Sequence, residues 1–274
     1  MQILSLFDGM SCGQIALNRI GITPAKYYAA EIDKHAIEVT KDNYPNTIHL
    51  GDVTKWPWWP VDWYSIDLVI GGSPCQGFSF AGKKLAFDDP RSKLFFVYLD
   101  ILSYIKMVNP KVKFMLENVK MEKKHLDVIT EKLGVEPVFI NSSLVSAQSR
   151  QRFYWCNWVL PQPEDEGIKL ADIIDDGFVG KDKSWCVLES WNRFPKNTES
   201  AIGRYKRYMM PIVFTNPSLD FYEGWRELNI AEVERLQTVP NGYCKALNGT
   251  KAKGLLGNGW TVDVIAHIFR AGLL

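Results

Sequence analysis

Three stretches of the chain carry side chains that suit covalent and acid–base work. Cys75 stands in GGSPCQGFS, directly after the mostly apolar run Ile66 to Gly72. A thiolate is a good nucleophile, and Pro74 stiffens the turn that presents it by fixing its own φ and biasing Ser73 towards extended geometry. A lone cysteine serves equally well as a small core residue, so its partners must decide between the two. Glu117-Asn118 follows the strand-like Lys113 to Leu116. A carboxyl group desolvated in a cleft there would suit acid work on a bound ring. In SAQSRQRF, Gln148, Arg150 and Arg152 alternate, which in an extended segment places them on one face. Two arginines on one face suit recognition of an anion or a carbonyl.

A fourth stretch, Phe7-Asp8-Gly9-Met10-Ser11-Cys12-Gly13, follows the strand-like Ile3 to Phe7. Gly9 and Gly13 let a ligand approach the backbone, yet the pattern is neither the GxGxxG of a dinucleotide fold nor a phosphate loop. Glu31 lies 18 residues beyond Gly13 at the end of a second strand, where an acid can hold ribose hydroxyls. Asp52, after Gly51, is placed to read an adenine amino group. Each acid alone also suits a helix cap or a solvated turn. Together they point to an adenosine-containing ligand that has no phosphate at this turn.

These residues need a scaffold that gathers strand ends. Strand-like and helix-like segments alternate through the first half: Tyr27 to Ile32, then a helix from Asp33 to Asn43 capped by Asp33; Ile66 to Ile70, then Ser92 to Val108; Lys113 to Leu116, then Met121 to Leu133 closed by Gly134. Val138 to Ile140 and Phe153 to Cys156 complete the set. That alternation predicts an α/β fold with a doubly wound, mostly parallel sheet, in which ligands collect beyond the carboxyl ends of the strands. The alternation breaks after Trp158. Residues 157–182 are acidic and Pro/Gly-punctuated, 183–210 are basic and aromatic, and helical periodicity returns at Asn229 to Leu236 and Thr261 to Phe269. The piece Trp56-Pro57-Trp58-Trp59-Pro60 reads as a packed loop.

Composition bounds the rest. The 274 residues, 46% hydrophobic and 23% charged, are those of an ordinary globular protein, and a net charge of +1 gives no global basic field. Five cysteines without a CxxC spacing argue against a disulfide framework or a zinc site and suit a reducing cytosol. No run approaches the roughly 18 apolar residues of a membrane span, and no targeting signal is visible. The expectation is a cytoplasmic protein without a membrane partner or a metal.

GGSPCQGFS, LENV, QSRQR and GNGWTV, in that order, resemble the motifs of the DNA (cytosine-5)-methyltransferases. The resemblance covers the chain outside about 157–227. FDGMSCG, RSKLFF and VSAQSRQRF look closest to the animal de novo branch, while PCQGFS and the GNGW asparagine look bacterial, and the size suits a stand-alone bacterial or phage enzyme. The resemblance implies a Rossmann-like fold and transfer of a methyl group from S-adenosylmethionine to carbon 5 of a cytosine flipped out of duplex DNA. It implies that Cys75 attacks carbon 6, Glu117 holds ring nitrogen 3, Asn118 orients the loop around Cys75, and Arg152 with Arg150 binds the base. For the cofactor it implies Phe7 on the adenine, the turn from Asp8 and Gly9 to Gly13 at the methionine half, and Glu31 on the ribose. Ile32 would flank the adenine, Asp52 and Val53 read its edge, and Asn258 and Trp260 close over the methionine end.

The same resemblance divides the chain into a catalytic and cofactor-binding domain, 1–156 with 228–274, and a target-recognition domain, 157–227. Gln76 to Lys93 resembles the family's mobile catalytic loop, with Lys83, Lys84 and Arg91 on DNA phosphates. Arg193, Arg204 and Arg207 lie in the basic, aromatic stretch as candidate base-reading residues, since arginine to guanine is the commonest specific contact. Self-association remains open. The transfer-RNA branch carries a Cys-Phe-Thr tripeptide after its ENV segment that this chain lacks. A catalytically silent relative would have lost the nucleophile or the glutamate, and a nicotinamide oxidoreductase would need GxGxxG.

Overall fold

A computed structural model describes residues 1–74 and 93–274. Short strands rich in apolar residues at the start of the chain form one sheet with the order β3-β2-β1-β4-β5-β8-β6. Its strands are β1 (Gln2–Leu6), β2 (Lys26–Ala30), β3 (Ile48–His49), β4 (Leu68–Gly72), β5 (Lys113–Val119), β6 (Pro137–Asn141) and β8 (Gln151–Cys156), with the two-residue β7 (Gln148–Ser149) outside it. Strands β1 to β5 pair in parallel, and β8 runs antiparallel to β5. The order reverses beside β1, between β2 and β4, which is where ligands bind in such sheets.

The helices behave as their sequences dictate. The first four are α1 (Cys12–Arg19), α2 (Lys34–Asn43), α3 (Leu94–Val108) and α4 (Lys123–Leu133). The Asp33 carboxylate accepts from the amides of His35 and Ala36 and so caps α2, and α4 stops at Gly134 in the left-handed region. Leu4, Leu6, Val69, Phe114 and Leu116 of the sheet pack with Phe95, Tyr98 and Ile101 of α3 in one buried core. The tryptophan-rich segment coils into a 3-10 turn, Val53–Trp58, and packs Trp56 against Trp63 and Tyr104 at 5.7 Å each.

The chain forms two compact units. The first comprises 1–140, 151–162 and 268–274; the second comprises 141–150 and 163–267. By packing, therefore, residues 228–267 go with 163–227, and only 268–274 return to the sheet, where Trp158 Nε1 donates to the Ile268 carbonyl at 3.2 Å. The second unit holds β7 paired with β9 (Ser184–Trp185), and β10 (Val213–Phe214) paired with β11 (Trp225–Arg226). It also holds α5 (Thr198–Lys206), α6 (Ile230–Leu236), α7 (Gly249–Asn258) and the first half of α8 (Val262–Leu273). Helices α5 and α7 were not anticipated. In α7, Gly257 lies so close to the 188–189 backbone that a Cβ would stand 2.3 Å from it, so glycines that disfavour a helix locally are what let this one pack.

Candidate active site

In the first unit the parallel register brings four strand ends to one edge of the sheet. Leu6 lies beside both Ala30 and Gly71, and Gly72 beside Glu117. The turn after β1 is held by the strand after it: the Asp8 amide donates to the Ala30 carbonyl at 3.1 Å, and the Gly9 amide to Glu31 Oε2 at 2.8 Å. Glu31 Oε1 accepts from the amides of Ile32 and Asp33 at 2.7 and 2.8 Å. Three of about four lone-pair positions are thereby used, so Glu31 braces the turn and keeps one acceptor position open.

The turn itself is conformationally costly. Phe7, Gly9 and Ser11 all have φ near +60°, and a Cβ on Gly9 would meet nothing within 4 Å. The backbone there lines open space. Beneath it, Asp8 is buried, its Oδ1 accepting from the Tyr27 hydroxyl at 2.7 Å and its Oδ2 from the Ser11 hydroxyl. Burial pushes its carboxyl up to about 6, against the pull of those two hydroxyl donors. Asp8 thus serves the turn from below.

Ile32 is 75% exposed, an unusual position for a large apolar side chain at this edge, and Phe7 is half-buried against the core. Asp52 caps the 3-10 turn through Oδ1, and the Thr54 amide and hydroxyl hold it below the usual carboxylate range. Val53 is buried beside it.

The catalytic candidates meet at β4, β5 and β8. Glu117 is opposite Tyr154, and Val119 opposite Arg152. Arg152 Nε lies 2.8 Å from Glu117 Oε1, an ion pair without hydrogen-bond alignment at Nε, and Arg152 Nη1 donates to the Gln151 carbonyl at 2.8 Å. Asn118 is buried, and its Nδ2 donates to the Ser73 hydroxyl and carbonyl at 3.1 and 3.4 Å. Its Oδ1 accepts from the Val119 amide at 2.8 Å, which fixes the amide's orientation. Asn118 therefore clasps the chain two residues ahead of Cys75. Cys75 itself, with Lys83, Lys84 and Arg91, lies outside the described residues.

Arg150 and Arg152, which the alternation suggested would share one face, have different partners. β8 begins only at Gln151, and Arg150 is buried in the second unit. Its Nη1 donates to Cys186 Sγ and the Val187 carbonyl, both at 3.1 Å, and its Nη2 to the carbonyls of Gly257 and Gly259 at 3.3 and 2.8 Å. Gln148 and Gln237 complete the same clasp. Gln148 Nε2 donates to the Leu236 carbonyl at 2.6 Å and to Gln237 Oε1 at 2.8 Å, and Gln237 Nε2 donates to the carbonyls of Leu256 and Gly259 at 2.6 and 3.2 Å. Gln148 and Arg150 are thus knit to GNGWT, with Asn258 exposed at the end of α7 and Trp260 buried. Gln237 carried no signal in the sequence, because its partners lie 19 to 89 residues away.

Of the candidate DNA-reading residues, Arg204 is engaged by the carbonyls of Ser190 and Arg193; Lys183, at the start of the basic stretch, is engaged by those of Ser143, Ser146 and Ile168. Arg193 and Arg207 are exposed. Among the described residues no cluster of three or more His, Cys, Asp or Glu could hold a metal ion, and no helix is long and apolar enough to cross a membrane.

Comparison with known proteins places this geometry in a family context. Residues 1–157 match the family model of the C-5 cytosine-specific DNA methylases. The type II methyltransferase M1.ScrFI of Lactococcus lactis subsp. cremoris is 31% identical over 97% of this chain and 76% of its own length. M.NgoBV of Neisseria gonorrhoeae is 30% identical over 71% of this chain, which spans about half (51%) of that relative. Among solved structures, the Entamoeba histolytica methyltransferase EhMeth superposes with a TM-score of 0.75 at 15% identity, covering 99% of this chain and 97% of its own. A DNMT2 mutant of Spodoptera frugiperda gives 0.68 at 20%, covering 98% of each. At those identities the structural likeness speaks for the fold.

Proposed function

The chain belongs to the C-5 cytosine-specific DNA methylase family, and on that premise we propose how its own residues carry out methyl transfer to carbon 5 of cytosine in DNA. The single observation that supports the assignment of roles is the meeting of Glu117, Arg152 and the Asn118–Ser73 clasp at the strand ends next to the Cys75 segment.

Cytosine carbon 5 is a weak nucleophile until carbon 6 is saturated. The Cys75 thiolate forms a bond to carbon 6, and the displaced electron pair moves onto carbon 5 and the N3–C4 part of the ring. Glu117 holds a proton at ring nitrogen 3, so that negative charge does not accumulate there. Arg152, seated on Glu117 and on the Gln151 carbonyl, orients that carboxyl and faces the base carbonyl. Asn118 fixes Ser73 and hence the approach of Cys75. After transfer, a base removes the carbon-5 proton, the electron pair re-forms the ring double bond, and the sulfur leaves as thiolate. A target inside a duplex must flip out to be reached.

S-adenosylmethionine, the methyl donor of this family, supplies an electrophilic methyl group when bound. The first unit fits its adenosine half. Glu31 keeps one acceptor position for a ribose hydroxyl, exposed Ile32 and Phe7 offer apolar faces to adenine, and Asp52, beside Val53, keeps Oδ2 for an exocyclic amine. Gly9 leaves room for the ligand that a Cβ would fill. Asp8, Gly13, Asn258 and Trp260 complete the proposed set, the first by holding the turn from beneath. Arg150 is assigned a positioning role, through the carbonyls of Gly257 and Gly259 on either side of Asn258. Lys83, Lys84 and Arg91 are assigned to phosphates, and residues 157–227 to target recognition, with exposed Arg193 and Arg207 ahead of Arg204.

The test is methyl transfer from labelled S-adenosylmethionine to duplex DNA of mixed sequence, followed by bisulfite sequencing. Wild type should label cytosine, Cys75→Ala should not, and Glu117→Ala should lose several orders of magnitude in rate. Transfer that survives Cys75→Ala would sink the mechanism.

A further inference from the structure

Tyr208 combines two features that a protein surface does not favour. It sits just past the end of α5 with φ +60°, a left-handed conformation in which glycine or asparagine is at ease and an aromatic residue is strained. Its ring is nevertheless 65% exposed. The backbone hydrogen bonds that close the helix there, Tyr208 amide to Tyr205 carbonyl at 3.1 Å and Met209 amide to Arg204 carbonyl at 3.0 Å, require the turn but not the ring. The ring is held edge-on to Trp185 at 5.4 Å and 72°.

The Lys181 ammonium lies 5.7 Å from the Trp185 ring and 5.9 Å from the Tyr208 ring. Gly180 allows this approach, since a Cβ there would stand 2.9 Å from the Tyr205 hydroxyl. The neighbouring Asp182 is paired with Lys169 at 3.6 Å, and Lys206 and Arg207 are exposed on the same turn. The outcome is a rigid aromatic pair edged by cations and carried by the basic stretch of the second unit. Non-glycine residues held in the left-handed region concentrate at functional positions, and Phe7, with φ +58° though half-buried, is another in the first unit.

We propose that Tyr208 and Lys181 form a DNA-contacting pair in this enzyme, the ring against base or sugar edges and the ammonium on a phosphate. This rests on the duplex-DNA reading above. Cations along the turn match the polyanion, and the ring adds an apolar face for a base or sugar that the phosphate contacts do not supply.

The experiment compares Tyr208→Gly, Tyr208→Phe and Lys181→Gln in the full chain, using duplex binding by fluorescence anisotropy over a salt series, thermal melting and bisulfite mapping. Tyr208→Gly relieves the backbone, so its melting temperature should hold or rise while duplex affinity falls about tenfold or the methylated sequence set broadens. Tyr208→Phe keeps the ring and should retain most of the affinity. Lys181→Gln should lower the slope of log affinity against log salt by about one. Wild-type affinity, salt slope and site pattern in Tyr208→Gly and Lys181→Gln would overturn the proposal. Tyr208-dependent binding without any methyl transfer by wild type would fault the catalytic reading and leave this surface standing.

Discussion

Asp8 in the first unit and Arg150 in the second are both buried, and each lies behind a glycine-bearing turn, Gly9 in one case and Gly257 to Gly259 in the other. Their partners differ in kind. Asp8 is met by hydroxyls, those of Ser11, Ser5 and Tyr27, and burial outweighs them, so its carboxyl is pushed up to about 6. Arg150 spreads a rigid fork of N–H donors over three backbone carbonyls and a sulfur. The same task, bracing a turn from behind, is done once by a buried acceptor whose proton affinity burial has raised and once by a fork of donors. The first turn should therefore answer to pH, and the second to loss of the side chain.

The most severe break in this contrast is Arg150→Ala. Three buried carbonyls and the part-buried Cys186 sulfur lose their donor at about 1 kcal/mol or more each, so urea unfolding should show a loss of about 4 kcal/mol. Arg150→Lys should recover only part, because one ammonium cannot span the four acceptors. An Arg150→Ala protein as stable as wild type would end the comparison.

Asp8→Asn sharpens it. With its folded pKa near 6 and the unfolded value at 3.8, the folded state binds the proton more tightly. The Asp8 contribution is then fully present below about pH 4 and is lost as pH rises to about 6, on the order of 3 kcal/mol in all. The stability difference between Asp8→Asn and wild type should shift by that amount in the mutant's favour between pH 4 and pH 7. Parallel profiles would show that the carboxyl is not desolvated.

The smallest stability effect belongs to Gly9→Ala. The added methyl meets no atom within 4 Å, so only the positive φ opposes it, at about 1 kcal/mol. If the space it enters is the ligand's, the apparent KM for S-adenosylmethionine should rise at least about tenfold while kcat changes less. An unchanged KM would move the cofactor away from Gly9.

The strand ends were legible because β1, β2, β4 and β5 are short apolar runs ended by glycine or an acid, and parallel pairing must then bring those ends to one edge. Asn118 was legible for the same reason, since it follows Glu117 on a strand beside β4. Arg150 was not. Period-two alternation assumes one continuous strand, and the break between Ser149 and Gln151 assigns Arg150 to partners more than 30 residues away. Helix α7 was hidden because its sequence, GTKAKGLLGN, has low helix propensity and is rescued by close tertiary packing. Arg204 and Lys183 counted towards a basic patch, yet backbone carbonyls consume both. Composition counts charges without saying where they are spent.

The Arg150 clasp also sets a timetable for synthesis. Arg150 closes on Val187 and then on Gly257 and Gly259, 37, 107 and 109 residues further along the chain. Strands β1 to β5 can pair once residue 119 is clear of the ribosome, whereas the second unit must wait for residue 259. Until Gly259 emerges, a nascent chain carries a guanidinium with only the Cys186 and Val187 half of its acceptors. A chain truncated after residue 240 should therefore keep strands β1 to β5 paired and fail in the second unit, because the carbonyls of Gly257 and Gly259 are gone.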